Sequence, residues 1–277
     1  MSKNLTQAIL PLAGLGTRFL PWTKAVPKEM LPLGTKPIVA HLVEECIDLG
    51  ISDICLVISK GKELIPQYFA RDEKLEAEMA RRGNSNILEQ LCRYDAVRFH
   101  VSYQDEQRGD GHAILQAADW VASDEVAVLF GDDLFVGAGS ALSQLFDAYN
   151  LCDAAGERAI VALENIPREL TKKYGIVEVE SEHPKNPRVK KLKSLIEKPD
   201  PAAAPSTLGI VGRYLIPKST FAVLPHVHSA TRDNEIRLID ALIAQLKDIA
   251  IFGCECEGKR LDTGTFEGYR KAVVNFE

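Results

Sequence analysis

Residues 8–37 read AILPLAGLGTRFLPWTKAVPKEMLPLGTKP, and no other stretch of this 277-residue chain limits its folding so tightly. The apolar run 8–12 predicts a buried strand. A glycine turn follows at once, with Ala13, Gly14, Gly16 and Arg18, and then an extended segment punctuated by Pro21, Pro27 and Pro32. Glycines at a strand end let backbone N–H groups approach an anion closely, because no Cβ stands between them. Arg18 and Lys28 add fixed positive charge to the same segment. That chemistry suits the polyphosphate of a nucleotide. Two common phosphate loops are excluded. A dinucleotide fingerprint requires glycine where Phe19 stands, and it opens a helix, which Pro21 and Pro27 oppose. A Walker-type glycine-lysine run occurs nowhere in the chain. Gly14 and Gly16 alone would mark an ordinary turn; together with Arg18, Lys28 and the prolines they point to function.

The remaining chain predicts alternating helices and strands. Residues 36–49 have helical spacing, with Pro37 in the first turn, Ile38, Leu42, Val43 and Cys46 on one face, Glu44, Glu45 and Asp48 mostly off it, and Gly50 as the cap. Residues 54–58 form a second buried strand, and strand–helix–strand implies a right-handed parallel crossover. Residues 62–95 are charged and predict two or three short helices with a solvated side, Arg81 and Arg82 included. Strands are expected at 97–103, 126–130 and 159–163, and helices at 112–121 and 141–149. A hairpin is expected over 176–179 and 189–198. Beyond it come an apolar strand 207–216, an amphipathic helix 234–246, a strand 249–254 and a last helix. The expectation is one α/β domain over residues 1–277, a Rossmann-like mixed, mostly parallel central sheet flanked by helices, with a small extra β region. Residues 1–150 would be its nucleotide-binding part and 151–277 the part that completes the substrate site.

Bulk properties narrow the class. A net charge of −6 and a pI near 5.6 disfavour a general nucleic-acid binder. No apolar run reaches the length of a membrane span, and MSKNLTQ lacks the features of a signal peptide. The six cysteines show no CxxC pair and read as reduced thiols, so a cytoplasmic setting is expected.

The opening stretch resembles the sugar-1-phosphate nucleotidyltransferases, whose signature is G-x-G-T-R followed at a distance by P-K. Its longer form, KAVPKEMLPLGTKP, is similar to the bacterial branch that joins UTP to glucose 1-phosphate. The resemblance implies the nucleotidyltransferase fold, UTP and glucose 1-phosphate as partners, Mg2+ as cofactor, and a homo-oligomer, dimer or tetramer. The same reaction with dTTP or CTP or another sugar, and a non-catalytic homologue of the same fold, are the alternatives.

Several constellations fit this chemistry. Asp132 and Asp133 follow a buried strand, where open α/β sheets bind ligands. Asp262 lies in Asp-Thr-Gly before the last helix. Either Asp132 or Asp262 alone would read as a cap; by resemblance the two hold Mg2+, and Asp133 takes a lesser role near the ribose or caps its turn. Glu197 and Lys198, which alone would read as an exposed ion pair, are by resemblance the ligands of the sugar hydroxyls and the sugar phosphate. Gly175 and Gly212 resemble backbone contacts to the sugar. Gln104 and Gly109 are expected to read the base edge, with backbone contacts from Ala13 and Gly14 on the opposite side and Gly16 a further nucleotide-binding residue. Arg18, Lys28 and Lys198 are the expected catalytic cations. Asp110 stands where the family carries an apolar residue, and it is expected to face solvent because an unpaired buried carboxylate is costly. His112 is expected to pack at a helix start. The pair His226 and His228 lacks further zinc ligands and reads as a polar loop.

Overall fold

The computed structural model describes residues 5–152, 156–227 and 234–276. Its strands are β1 (Gln7–Pro11), β2 (Pro32–Leu33), β3 (Lys36–Pro37), β4 (Asp53–Ile58), β5 (Arg98–Tyr103), β6 (Glu125–Leu129) and β7 (Asp133–Val136). They continue with β8 (Arg158–Asn165), β9 (Gly175–His183), β10 (Asn186–Glu197), β11 (Leu208–Pro217), β12 (Ala250–Glu255) and β13 (Lys259–Asp262). Nine of them form one sheet in the order β5-β4-β1-β6-β11-β8-β12-β10-β9. The strands β5, β4, β1 and β6 are mutually parallel. β11 runs antiparallel to both β6 and β8, β12 is parallel to β8, and β10 is antiparallel to β12 and β9. Only β11 and β10 therefore oppose the common direction, which is the expected mixed, mostly parallel sheet.

The apolar runs are buried on both faces, as crossover helices require. Alternate residues serve opposite layers. Leu10, Ile54, Leu56 and Leu129 pack in the layer that also buries Leu42 and Leu145, from the helices Ile38–Asp48 and Ala141–Leu151. Ile9, Cys55, Val57 and Val128 pack in the layer that buries Ile114 and Leu242, from the helices Asp110–Leu115 and Leu238–Gln245. Among the described residues no helix is long and apolar enough to cross a membrane.

Element boundaries differ from expectation where backbone groups find other partners. Pro37 is the N-cap of its helix, in extended conformation, rather than a first-turn residue. The helix expected over 112–121 begins at Asp110 and ends at Leu115, with a separate 3-10 turn at Ala118–Trp120. The helix expected over 234–246 is confined to Leu238–Gln245. Ile236 cannot join it, because its N–H donates to the Arg108 carbonyl at 2.7 Å and its carbonyl accepts from Gly111 N–H at 2.9 Å. The charged region holds three helices, Leu64–Phe69, Glu73–Arg81 and Ser85–Cys92, and Arg81 and Arg82 pair with Glu78 on the solvated side. Glu45, expected off the apolar face, is buried; it takes the Arg213 guanidinium at 2.7 Å and the Leu142 N–H at 2.7 Å. A second, short ribbon pairs β7 with β13 and sets Asp262 opposite Asp133. No periodicity in the sequence announced that ribbon, and it places the end of the described chain beside the strand-end aspartates.

Candidate functional site

The glycine turn leaves β1 and closes on itself. Gly16 adopts φ 64°, in the left-handed region that favours glycine, and the Thr23 hydroxyl donates to its carbonyl at 2.9 Å. At Gly14, its chain neighbours aside, no atom of the described residues lies within 4 Å of the place a Cβ would take. Beneath the turn is an ion pair that the sequence did not disclose. Glu29 is 1% exposed, and Lys62 donates to both its oxygens, at 3.1 and 3.0 Å, and to the Leu12 carbonyl at 2.6 Å. Lys62 opens the stretch read as solvated, yet it lies inside because it neutralises Glu29 below the loop.

This tie fixes the turn Lys28–Met30. The Lys28 ammonium donates to Asp132 Oδ2 at 2.8 Å. Burial alone would lower the Lys28 pKa, but the Asp132 and Glu29 carboxylates outweigh it and raise it. Burial would likewise raise the Asp132 pKa, and Lys28 reverses the sign. Thr263 N–H donates to the Asp132 carbonyl at 2.7 Å, which holds the Asp-Thr-Gly turn against the strand end. A Cβ on Gly264 would sit 2.9 Å from Asp132 Oδ2 and 3.1 Å from Asp262 Oδ1. The two carboxylates thus flank a gap narrower than one methyl group can occupy comfortably. Asp262 Oδ1 also accepts from Gly264 N–H at 2.9 Å, and Arg18, exposed above, donates to the Gly264 carbonyl at 3.4 Å. Among the described residues no three acidic, His or Cys side chains converge as a complete metal site. Two converging carboxylates suit Mg2+, which takes few protein oxygens and completes its shell with phosphate and water.

A cleft of about 340 Å³ opens beside Asp132; Ala13, Gly14, Lys28, Gln104, Gly109 and Asp110 are among the residues lining it. Gln104 Nε2 donates to the Gly109 carbonyl at 3.0 Å and lies 3.1 Å from His112 Nδ1. With its amino group so engaged, the amide keeps its oxygen as an acceptor. Gly109 has φ 99°, and a Cβ there would meet the Ile236 carbonyl at 2.5 Å. Gln107, not singled out in the sequence, donates to the Ala13 carbonyl at 3.2 Å and ties the two walls together. Asp110 corrects the expectation of a solvent-facing side chain. It lines the cleft and accepts from Leu238 N–H at 2.8 Å, capping the start of the helix Leu238–Gln245. Burial pushes its carboxyl up to about 6.

The remaining predicted residues lie on the β9–β10 hairpin, on β7 and on β11. Glu197 pairs with Gly175 across the β9–β10 hairpin, and a Cβ on Gly175 would strike Ile239 at 2.2 Å. Lys198 reaches back to Glu197 at 3.0 Å from a left-handed backbone, φ 48°. Arg237, absent from the sequence-based candidates, is buried, 3.7 Å from Glu197 and 2.8 Å from Glu235. Asp133 is held by Arg260, which also bonds Glu164 and the Tyr174 hydroxyl. Gly212 is a glycine because the Asp133 side chain packs on it; a Cβ would come within 2.5 Å. The Gly212 carbonyl is taken by Phe130 N–H and Arg213. Arg237 and Arg260 sit in unremarkable sequence contexts, and only their long-range partners reveal them. Of the pair His226 and His228, the second lies outside the described residues.

A family model described as nucleotidyl transferase matches residues 7–277. The chain is 36% identical over 276 residues to a UTP–glucose-1-phosphate uridylyltransferase of Staphylococcus haemolyticus, covering 99% of this chain and 93% of that protein. It is also 36% identical to one of Bacillus subtilis, covering 99% and 91%. Among solved structures, a UDP-glucose pyrophosphorylase complexed with UDP-glucose superposes with a TM-score of 0.84 at 32% identity, covering 98% and 97%. A UTP-bound enzyme of the same kind from Acinetobacter baumannii gives 0.86 at 33% identity, covering 98% and 93%.

Proposed function

The chain belongs to the nucleotidyl transferase family, and from that premise we propose that it transfers the uridylyl group of UTP to glucose 1-phosphate, yielding UDP-glucose and pyrophosphate. The observation that carries this reading is the meeting of Lys28, Asp132 and Asp262 beside a cleft whose other wall is Gln104 and Gly109.

The sugar-phosphate oxygen attacks the α-phosphorus in line, opposite the departing pyrophosphate. Little covalent work falls to the protein; it positions two anions and neutralises charge. Mg2+ held by Asp132 and Asp262, when bound, supplies the charge that lets two phosphates meet. Lys28 and Arg18 hold the triphosphate and the leaving group. The open space at Gly14, with Ala13 and Gly16 beside it, admits the nucleotide against the backbone. Lys198 steers the sugar phosphate, and Glu197 accepts from sugar hydroxyls. Arg237, 3.7 Å away, aims Glu197, and Gly175 and Gly212 let the chain close around that half of the site. The Gln104 oxygen accepts from uracil N3–H. Thymine offers the same edge, so dTTP is the competing substrate.

The test is pyrophosphate release from UTP, dTTP, CTP and ATP with glucose 1-phosphate and Mg2+. Fastest turnover with UTP is expected, and no turnover with any triphosphate would end the reading. Asp132→Asn and Asp262→Asn should each remove most of that turnover with the fold intact by circular dichroism.

A further inference from the structure

We propose that Lys28 occupies, in the nucleotide-free protein, the position on Asp132 that a divalent cation takes in the working site, so that the triphosphate must draw Lys28 away before the cation can bind. The proposal rests on the reading of Asp132 and Asp262 given above. The Asp132 oxygen bonded to Lys28, Oδ2, is the same oxygen that flanks Gly264 opposite Asp262. One Asp262 oxygen is committed to the Gly264 N–H. A dication entering this pair of carboxylates with Lys28 in place would meet an ammonium at bonding distance from one of its two ligands, with Arg18 close above. Among the described residues no third acidic side chain joins the two as a ligand.

A triphosphate changes the balance. Its oxygens offer Lys28 a stronger anionic partner and at the same time bring the missing ligands for the ion. The exchange needs only a side-chain rotation. The neighbouring residue, Glu29, is fixed by two bonds to buried Lys62, so the backbone under Lys28 stays where it is. Metal and nucleotide binding are therefore linked through one lysine, and linkage makes each strengthen the other.

The experiment is Mn2+ binding to the nucleotide-free protein, followed by the electron paramagnetic resonance of free Mn2+. Lys28→Gln should bind Mn2+ at least about tenfold more tightly than the wild type, the low end of what loss of a charge-assisted bond releases. A non-reacting UTP analogue with a methylene bridge between the α- and β-phosphorus should bring the wild type to comparably tight binding. Equal Mn2+ affinity of the wild type and Lys28→Gln without nucleotide would overturn the proposal. The double variant Lys28→Gln/Asp132→Asn should lose the gain. If the gain persisted there, the ion would lie elsewhere, and the metal assignment itself would fall with the proposal.

Discussion

Gly264 shows how a single absent carbon can serve a site. Both carboxylate oxygens would lie within 3.1 Å of a methyl group there, closer than carbon and oxygen normally pack, so Gly264→Ala must push one aside. The expected result is a loss of about 10–100-fold in kcat, the range that misplacement of reacting groups by about 1 Å produces, with the melting temperature nearly unchanged. Gln104 gives a second prediction at this scale. Its oxygen matches the N3–H of uracil and opposes the bare N3 of cytosine, and a buried mismatch costs roughly 1–3 kcal/mol. UTP should be preferred over CTP by about 5- to 150-fold, and competition assays on Gln104→Ala should find that preference largely gone. Residues like these were legible because they lie in contiguous, compositionally odd runs: Gly14 to Arg18, Lys28 in a proline-rich segment, Asp262 in Asp-Thr-Gly. Lys62, Arg237 and Arg260 were not. Each is defined by a partner distant in the chain, and a lone lysine or arginine carries no local mark of the charge it will neutralise. Asp110 departs from expectation because the N-terminus of the helix Leu238–Gln245 offsets part of the cost of burying its carboxylate.

At the scale of elements, the helix Leu238–Gln245 is shorter than its apolar periodicity suggests because its first turn belongs to the cleft wall. Ile236 pairs with the loop before Asp110, and Asp110 caps the helix in return. Strands such as β1 and β4 were legible because their runs are wholly apolar; this helix start was not, because the competing backbone partners come from residues 108–111. The cap has a pH signature. The Asp110 carboxyl titrates near 6 in the fold, above the ordinary value of 3.8, chiefly through burial, with Glu197 and Glu235 raising it and the Leu238 N–H and Arg237 lowering it. Between those values the folded state binds the proton more tightly than the unfolded chain. Its stabilising effect is therefore complete below about pH 4 and is lost as pH rises through 6. Asp110→Asn keeps an acceptor for Leu238 without the charge. Its unfolding free energy relative to the wild type should rise by about 1–3 kcal/mol between pH 4 and pH 7, measured by urea titration at each pH.

Across the whole molecule, one buried pair joins segments far apart in the chain. Arg213, on β11, is fully buried and meets Glu45, whose other oxygen holds the first turn of the helix Ala141–Leu151. Glu45→Ala leaves a buried guanidinium without its counter-charge, a change worth about 3–5 kcal/mol; equilibrium unfolding should show that loss as a single transition shifted to lower denaturant. The position of β11 has a wider consequence. It covers one edge of β6, where Val126 to Leu129 are wholly buried, and it comes from the half of the sequence proposed above to supply the sugar side. A fragment ending near residue 150 would present that apolar edge to its neighbours and aggregate along it. The front and back halves of this chain could not be traded like cassettes, because β11 from one lies between β6 from the other and β8. On the proposed function, new preferences for base or sugar would have to arise by replacements in place, within one sheet that both halves build.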